Sequence, residues 1–248
     1  MKRNYSLTVA IPAYNEAEAL PGVLAGALKI APLYAKNFEI LVVDDGSVDA
    51  TGKIADAAAR KNRHVRVVHH PKNQGFSGAI KSCYRQANGE IIFLLPADGQ
   101  IHMTDLGRFW VKLPQADVVV GHRLNNPEPA SRKINSAVFH TLYRMLFGVR
   151  LQEISTSILW KKEVLDSLDI TAIPRSALIE PEVVYKAWAR GYRFAQVGIP
   201  YYAREGGTPK GSNPVMIFMT IKELFRLWWQ MRVARKNLST DHESDAKK

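Results

Sequence analysis

The chain has 248 residues, 46% of them apolar, enough to bury one large core. Its single cysteine, Cys83, excludes an intramolecular disulfide, and no Cys/His spacing is that of a structural zinc site. A formal charge of +11 calls for an anionic partner or is simply a solvated basic surface, and on charge alone nucleic acid, acidic lipid and a phosphorylated substrate are all eligible partners.

The longest charge-free stretch, Asn4 to Asn15, has 12 residues, short of the roughly 20 a membrane-crossing helix needs. From Met1-Lys2-Arg3 the chain passes directly into an apolar run ending at Pro12, without the longer apolar region and cleavage site of a signal peptide. This reads as a protein kept in the cytoplasm. Strand-like runs follow at Leu7 to Ile11, Phe38 to Val43, Val65 to His69, Glu90 to Leu95 and Asp117 to Gly121, with helix-like segments between the first four. Runs such as Ile40-Leu41-Val42-Val43 are almost continuously apolar, as parallel strands covered by helices on both faces should be. The fold class is therefore α/β, and ligands in such sheets bind beyond the carboxyl ends of the strands.

The polar clusters Tyr14-Asn15-Glu16, Asp44-Asp45, Asn73-Gln74-Gly75 and Asp98-Gly99-Gln100 each follow one of these strands, so all four should meet at one edge. Beyond residue 122 the alternation loosens: a helix from Ala130 to Phe147, a short β-like patch near Ser155 to Trp160, a helix around Glu180 to Arg190 and a strand around Phe194 to Ile199. Ile217, Phe218, Ile221, Leu224, Phe225 and Trp228 follow helical spacing, with Lys222, Arg226 and Arg232 largely on other faces. Residues 199–236 carry seven Lys/Arg against two Asp/Glu. Such a helix either lies in an anionic lipid interface or docks on the protein's own core or a partner subunit. The stretch from 237 to 248 is polar and charged, an expected disordered tail.

In Asp44-Asp45-Gly46-Ser47, two carboxylates stand at a strand end before a turn glycine. They are either part of a turn with a helix cap or acceptors for the donor groups of a nucleotide. Asp98 and Gln100, two apart in an extended segment, project to one side, as an Asp-Gly turn or as oxygen ligands facing one hard cation such as Mg2+ or Mn2+.

Val9-Ala10-Ile11-Pro12-Ala13-Tyr14-Asn15-Glu16, Val42-Val43-Asp44-Asp45-Gly46-Ser47 and Asn73-Gln74-Gly75-Phe76-Ser77-Gly78-Ala79, in that order, resemble the family 2 glycosyltransferases of the GT-A fold. The likeness continues through Gly121-His122-Arg123, Tyr201-Tyr202-Ala203-Arg204 and Gly207-Thr208-Pro209-Lys210, and looks like the branch of dolichyl- and polyprenyl-phosphate sugar transferases. The resemblance implies a GT-A domain over 1–211, to which periodicity adds an amphipathic helix over 212–236 and composition a disordered tail over 237–248.

It further implies that Pro12, Tyr14, Glu16, Asp44 and Asp45 surround the nucleoside, and that Asp98 and Gln100 hold Mg2+ or Mn2+ and the diphosphate. Arg123 would lie near the phosphates. Arg132 and Ser136, four apart on the predicted helix, match an element for the acceptor phosphate; Arg204 and Lys210 match a late basic pair over phosphate groups. The implied partners are a nucleotide-diphosphate sugar, a polyprenyl phosphate and the cytoplasmic membrane surface, with a separate membrane-anchor subunit or a homo-oligomer as further candidates. Nucleic acid is not expected, since no aromatic RNA-binding motif or recognition helix accompanies the charge.

The chain departs from the family pattern at Pro96, where an acidic residue commonly precedes Asp98, and at Glu153-Ile154-Ser155-Thr156-Ser157, where Asp and a small-residue turn are usual. Glu153 is the one base candidate for a hydroxyl acceptor, whereas a phosphate acceptor, already ionised, needs none. The sequence thus favours transfer of sugar to a lipid phosphate, which the resemblance implies is inverting, over transfer to a saccharide hydroxyl or simple ligand binding.

Overall fold

The computed structural model describes residues 5–125, 127–154, 156–172, 177–203 and 220–232. In chain order the strands are β1 (Leu7–Ala13), β2 (Phe38–Asp44), β3 (Val65–His69), β4 (Ile91–Leu94), β5 (Val118–Arg123), β6 (Ile158–Lys161) and β7 (Phe194–Ile199). The helices are α1 (Leu20–Ile30), α2 (Thr51–Lys61), α3 (Phe76–Gln86), α4 (Leu106–Trp110), α5 (Ala130–Phe147), α6 (Lys162–Asp166) and α7 (Ile179–Ala189). Residues 220–232 are also helical.

The strands form one sheet in the order β3-β2-β1-β4-β6-β5-β7. β1 pairs in parallel with β2 on one side (Ala10 beside Leu41) and with β4 on the other (Ala10 beside Leu94). Side-chain alternation sends Val9, Ile11, Ile40, Val42 and Phe93 into a core under α1, α2 and α4. Ala10, Leu41, Val43, Ile92 and Leu94 enter a second core, shared with α3, α5, α7 and the helix at 220–232. Burial on both faces explains the unbroken apolar runs of the strands.

The β-like patch expected near Ser155 to Trp160 is β6, and it lies antiparallel between β4 and β5. It joins the two halves of the sheet through Trp160, whose backbone stands beside Ile92 on one side and Val118 on the other. The Trp160 ring is fully buried, meets Tyr84 edge-on at 6.1 Å and donates its indole N–H to the Tyr84 hydroxyl at 3.2 Å.

α5 is fastened to the segment before β6 by a buried histidine. His140 Nδ1 donates to the Ser136 carbonyl at 2.7 Å, while Nε2 accepts the Ile154 N–H at 3.3 Å, an arrangement that requires the neutral ring. Burial lowers its pKa. The helix at 220–232 places Leu224 and Leu227 in the second core, with Trp228 and Met231 packed beside them, so one of its faces docks on the protein itself. Phe225 and Trp229 point outward, 45% and 63% exposed. The expected boundary at 211/212 and the expected tail lie outside the described residues.

Two consequences can be measured. Trp160→Ala empties a fully buried site at the sheet's junction and should cost about 3–5 kcal/mol in urea unfolding. His140 takes a proton near its ordinary value of 6.5 when unfolded and resists it when folded, so its contribution is present above that pH and lost as the pH falls. Between about pH 7.5 and about pH 5.5 the wild type should therefore lose more stability than His140→Gln, measured by urea midpoints.

Candidate active site

The first two polar clusters are stitched together at the carboxyl edge of β1 and β2. The Asp45 N–H donates to the Ala13 carbonyl, the Asn15 N–H to Ser47 Oγ at 3.0 Å and the Glu16 N–H to Thr51 Oγ1 at 2.8 Å. Asn15 has φ 53°, a left-handed conformation that asparagine tolerates because its short amide bonds locally; here Oδ1 accepts the Val48 N–H at 2.9 Å. Glu16 is buried, and Pro12 and Tyr14 are half-buried beside it in sequence.

Asp44 and Asp45 are only 5% and 2% exposed, and both carboxylates are already hydrogen-bonded. Asp44 accepts the Ser47 N–H at 3.0 Å and His69 Nδ1 at 2.9 Å. Asp45 accepts the N–H groups of Gln74 and Gly75 at 2.8 and 2.9 Å, and His70 Nδ1 at 2.6 Å. The third cluster is thereby drawn to the second. Gly46 completes the close approach: with φ 67°, a Cβ there would stand 2.6 Å from the Lys72 carbonyl carbon, so only glycine fits. His69 also faces Asp56 at 3.0 Å, and Asp56 followed by Asp44 raises the pKa of its ring.

The fourth cluster follows β4. Asp98 Oδ1 accepts the Gln100 N–H at 3.1 Å, and the residue is half-buried. Gln100 is turned toward the segment after β7: Oε1 accepts the Tyr201 hydroxyl at 2.9 Å, and Nε2 donates to the Tyr202 carbonyl at 3.3 Å. Burial, then the charge of Asp98, raises the Tyr201 pKa. Among the described residues no group of three or more Asp, Glu, His or Cys side chains stands ready to enclose a metal. One carboxylate does fit a magnesium- or manganese-type ion that draws its other ligands from diphosphate and water.

Arg123 ends β5. Its Nε donates to Glu153 at 2.9 Å, its NH2 lies 2.8 Å from the same carboxylate and 3.2 Å from Ser136 Oγ, and the guanidinium sits 5.1 Å above the Tyr201 ring. Burial works against the Arg123 charge, but Glu153 more than offsets it and raises the pKa. Glu153 is thus committed to a cation rather than left as a base. Arg123, Ser136, His140 and Glu153 line a cavity of about 420 Å³ with Lys133 and Arg144. Arg132 is paired with Glu128 at 2.6 Å. Arg204 and Lys210 lie outside the described residues.

All four clusters therefore follow strands that end at one edge, as the sequence reading expects. The edge also holds residues to which that reading gave no role of their own: His69, His70 and Tyr201. A signal for the histidines exists, since the pair straddles the end of β3 as the Asp pair straddles the end of β2, and the register sets Asp44 beside His69.

The model of "Glycosyl transferase family 2" matches residues 8–166. The chain is 28% identical over 216 residues to an undecaprenyl-phosphate mannosyltransferase of Micrococcus luteus, an alignment covering 83% of this chain and 87% of the relative. It is 29% identical over 220 residues to a polyprenol monophosphomannose synthase of Mycolicibacterium smegmatis, covering 83% and 81%. Against an undecaprenyl-phosphate 4-deoxy-4-formamido-L-arabinose transferase of Proteus mirabilis the identity is 27%, and the chain spans 63% of that relative's length. A crystal structure of glucosyl-3-phosphoglycerate synthase from Mycobacterium tuberculosis superposes with a TM-score of 0.70 at 21% identity, covering 90% of this chain and 80% of the other. Another, at 0.69, holds Mn2+, uridine diphosphate and glucosyl-3-phosphoglycerate. That likeness identifies the mostly parallel sheet as a GT-A-like fold. Because the family match spans well over half of the sequence, on a fold of this kind, the chain belongs to glycosyltransferase family 2.

Proposed function

We propose that this glycosyltransferase moves a sugar from a nucleotide-diphosphate donor to the phosphate of a polyprenyl lipid at the cytoplasmic face of a membrane. The reading is supported by relatives at 28–29% identity whose names carry such acceptors. The observation that carries it is the cationic cavity at the end of β5, where Arg123, Lys133 and Arg144 outnumber Glu153. In this reading the nucleoside lies along Pro12, Tyr14, Glu16, Asp44 and Asp45, and the acceptor phosphate meets Ser136, Arg123 and Arg132. Arg204 and Lys210 close over phosphate groups. Residues 1–211 form the catalytic unit and 212–236 the element nearest the lipid, its outward Phe225 and Trp229 facing the interface.

A phosphate oxygen of the acceptor attacks the anomeric carbon from the side opposite the leaving group. The new C–O bond forms as the bond to the diphosphate breaks, its electron pair leaving with the nucleoside diphosphate, and the anomeric centre inverts. No protein base is required, in keeping with a Glu153 that is bound to Arg123. Arg123 offsets negative charge where acceptor and donor meet, and Tyr201 orients both Arg123 and Gln100. Asp98 would hold a Mg2+ or Mn2+ ion shared with the donor, which when bound neutralises the departing diphosphate.

With Mg2+ or Mn2+, a panel of uridine- and guanosine-diphosphate sugars, and undecaprenyl or dolichyl phosphate, the protein should yield a sugar–lipid phosphate detectable by mass spectrometry. Product only with a saccharide hydroxyl acceptor, or donor binding without turnover, overturns the reading. Asp98→Ala should lower turnover by at least about a hundredfold. An unchanged rate removes that carboxylate from the mechanism.

A further inference from the structure

Two consecutive acids at the end of β2 face two consecutive imidazoles at the end of β3, and the two pairs differ in kind. His69, about half exposed at its side chain, bridges Asp44 and Asp56 at the surface. His70 is only 8% exposed and both its ring nitrogens are engaged, Nδ1 with Asp45 Oδ1 at 2.6 Å and Nε2 with Ser82 Oγ at 2.8 Å. The carboxylate can only accept, so Nδ1 carries the proton. Nε2 and the Ser82 hydroxyl can each donate or accept, so the row is satisfied whichever of the two supplies the proton between them.

This row has the order of atoms that activates serine in many hydrolases. Ser82, however, stands inside α3, where backbone N–H groups are spent on the helix itself. The opposite end of the row is where its effect falls. Asp45 uses its remaining acceptor capacity on the N–H groups of Gln74 and Gly75, the turn that opens α3. Gly75 has φ 82° and ψ 177°, a conformation that side chains resist; its carbonyl accepts the Ala79 N–H at 3.0 Å as the first bond of α3, and its own N–H goes to Asp45. Ser82 is anchored on α3 and Gly75 begins it, so the carboxylate, the imidazole and the hydroxyl form a closed loop of bonds around the start of that helix.

We propose that His70 is a positioning residue for donor binding: supported by Ser82, it fixes the buried Asp45 carboxylate, and Asp45 in turn holds the Gln74–Gly75 turn at the nucleotide edge. This rests on the reading that the donor's nucleoside lies along that edge. Neither His70 nor Ser82 touches the donor in this scheme; both act through Asp45.

The test measures binding of uridine and guanosine diphosphate by calorimetry, with Mg2+ present, and the KM for the donor sugar against kcat. His70→Ala removes a charge-assisted hydrogen bond from a buried carboxylate and should weaken nucleotide binding by about tenfold to a hundredfold. KM should rise by a similar factor while kcat changes little. His70→Asn carries an amide N–H close to the Nδ1 position and should restore most of the affinity. His70→Gln carries its amide nearer the Nε2 position, reaches Ser82 rather than Asp45, and should not.

A role confined to fold stability would lower the melting temperature and the yield of active protein, yet leave the affinity of the folded fraction unchanged and treat Asn and Gln alike. Wild-type binding with no loss in His70→Ala overturns the proposal. Should His70→Ala fail to fold, the Asn and Gln variants decide, and equal affinities for the two overturn it. If the wild type binds neither nucleotide, the donor-site reading fails first and takes the proposal with it.

Discussion

The structure depends on β1 lying between two parallel partners. With β2 on one side and β4 on the other, every connection among the first four strands must return to the same starting edge, and every strand leaves at the opposite one. The loops after β1, β2, β3 and β4 are consequently neighbours, although they are separated by tens of residues in sequence. Leu7, Val9, Ala10 and Ile11 are fully buried because helices cover both faces of this strand, and the polar groups of its backbone are spent on ladders to either side. What remains for chemistry is the rim.

That rim is held mainly by acceptors meeting donors from the next loop. Asp44 and Asp45 are taken almost wholly out of water, a costly position for carboxylates unless hydrogen bonds replace the lost hydration. Backbone N–H groups of Ser47, Gln74 and Gly75, with two imidazoles, supply that replacement. Burial thus separates the acids of the edge: Asp44 and Asp45 are almost wholly enclosed, whereas Asp98, after β4, is only half-buried.

The sheet was legible because buried parallel strands leave a one-dimensional trace. The bounds Ala130 to Phe147 and Phe194 to Ile199, taken from periodicity, coincide with α5 and β7. The direction of β6 was not legible: Ile158-Leu159-Trp160 is apolar whichever way it runs, and only its pairing with β4 and β5 shows it to be antiparallel. The site divides similarly. Its location followed from strand ends, but a carboxylate that binds a ligand and one that binds a neighbouring turn look alike in sequence, so the engagement of Asp45 by His70 needed three dimensions. The helix at 220–232 presents the same ambiguity. Leu224 and Leu227 face the core while Phe225 and Trp229 face outward, so apolar residues occupy two sides and periodicity alone could not assign a single buried stripe.

The two halves of the proposed reaction are joined through one side chain. Tyr201 donates its hydroxyl to Gln100, next but one to Asp98, and offers its ring face to Arg123, which holds Glu153 and reaches Ser136. Charge at Asp98 and charge at Arg123 therefore both bear on the same tyrosine. Arg123 is the more constrained of the two, because Glu153 takes its Nε, NH2 and backbone N–H together, leaving the guanidinium aimed but only partly free. A dianionic acceptor needs no displacement of Glu153 to find positive charge in this cavity, since Lys133 and Arg144 line it as well. Glu153 then holds the arginine in place, and the surrounding cations leave the cavity positive despite it. In that arrangement a carboxylate one methylene longer than the family's usual aspartate serves as a brace for Arg123, consistent with an acceptor that arrives already ionised.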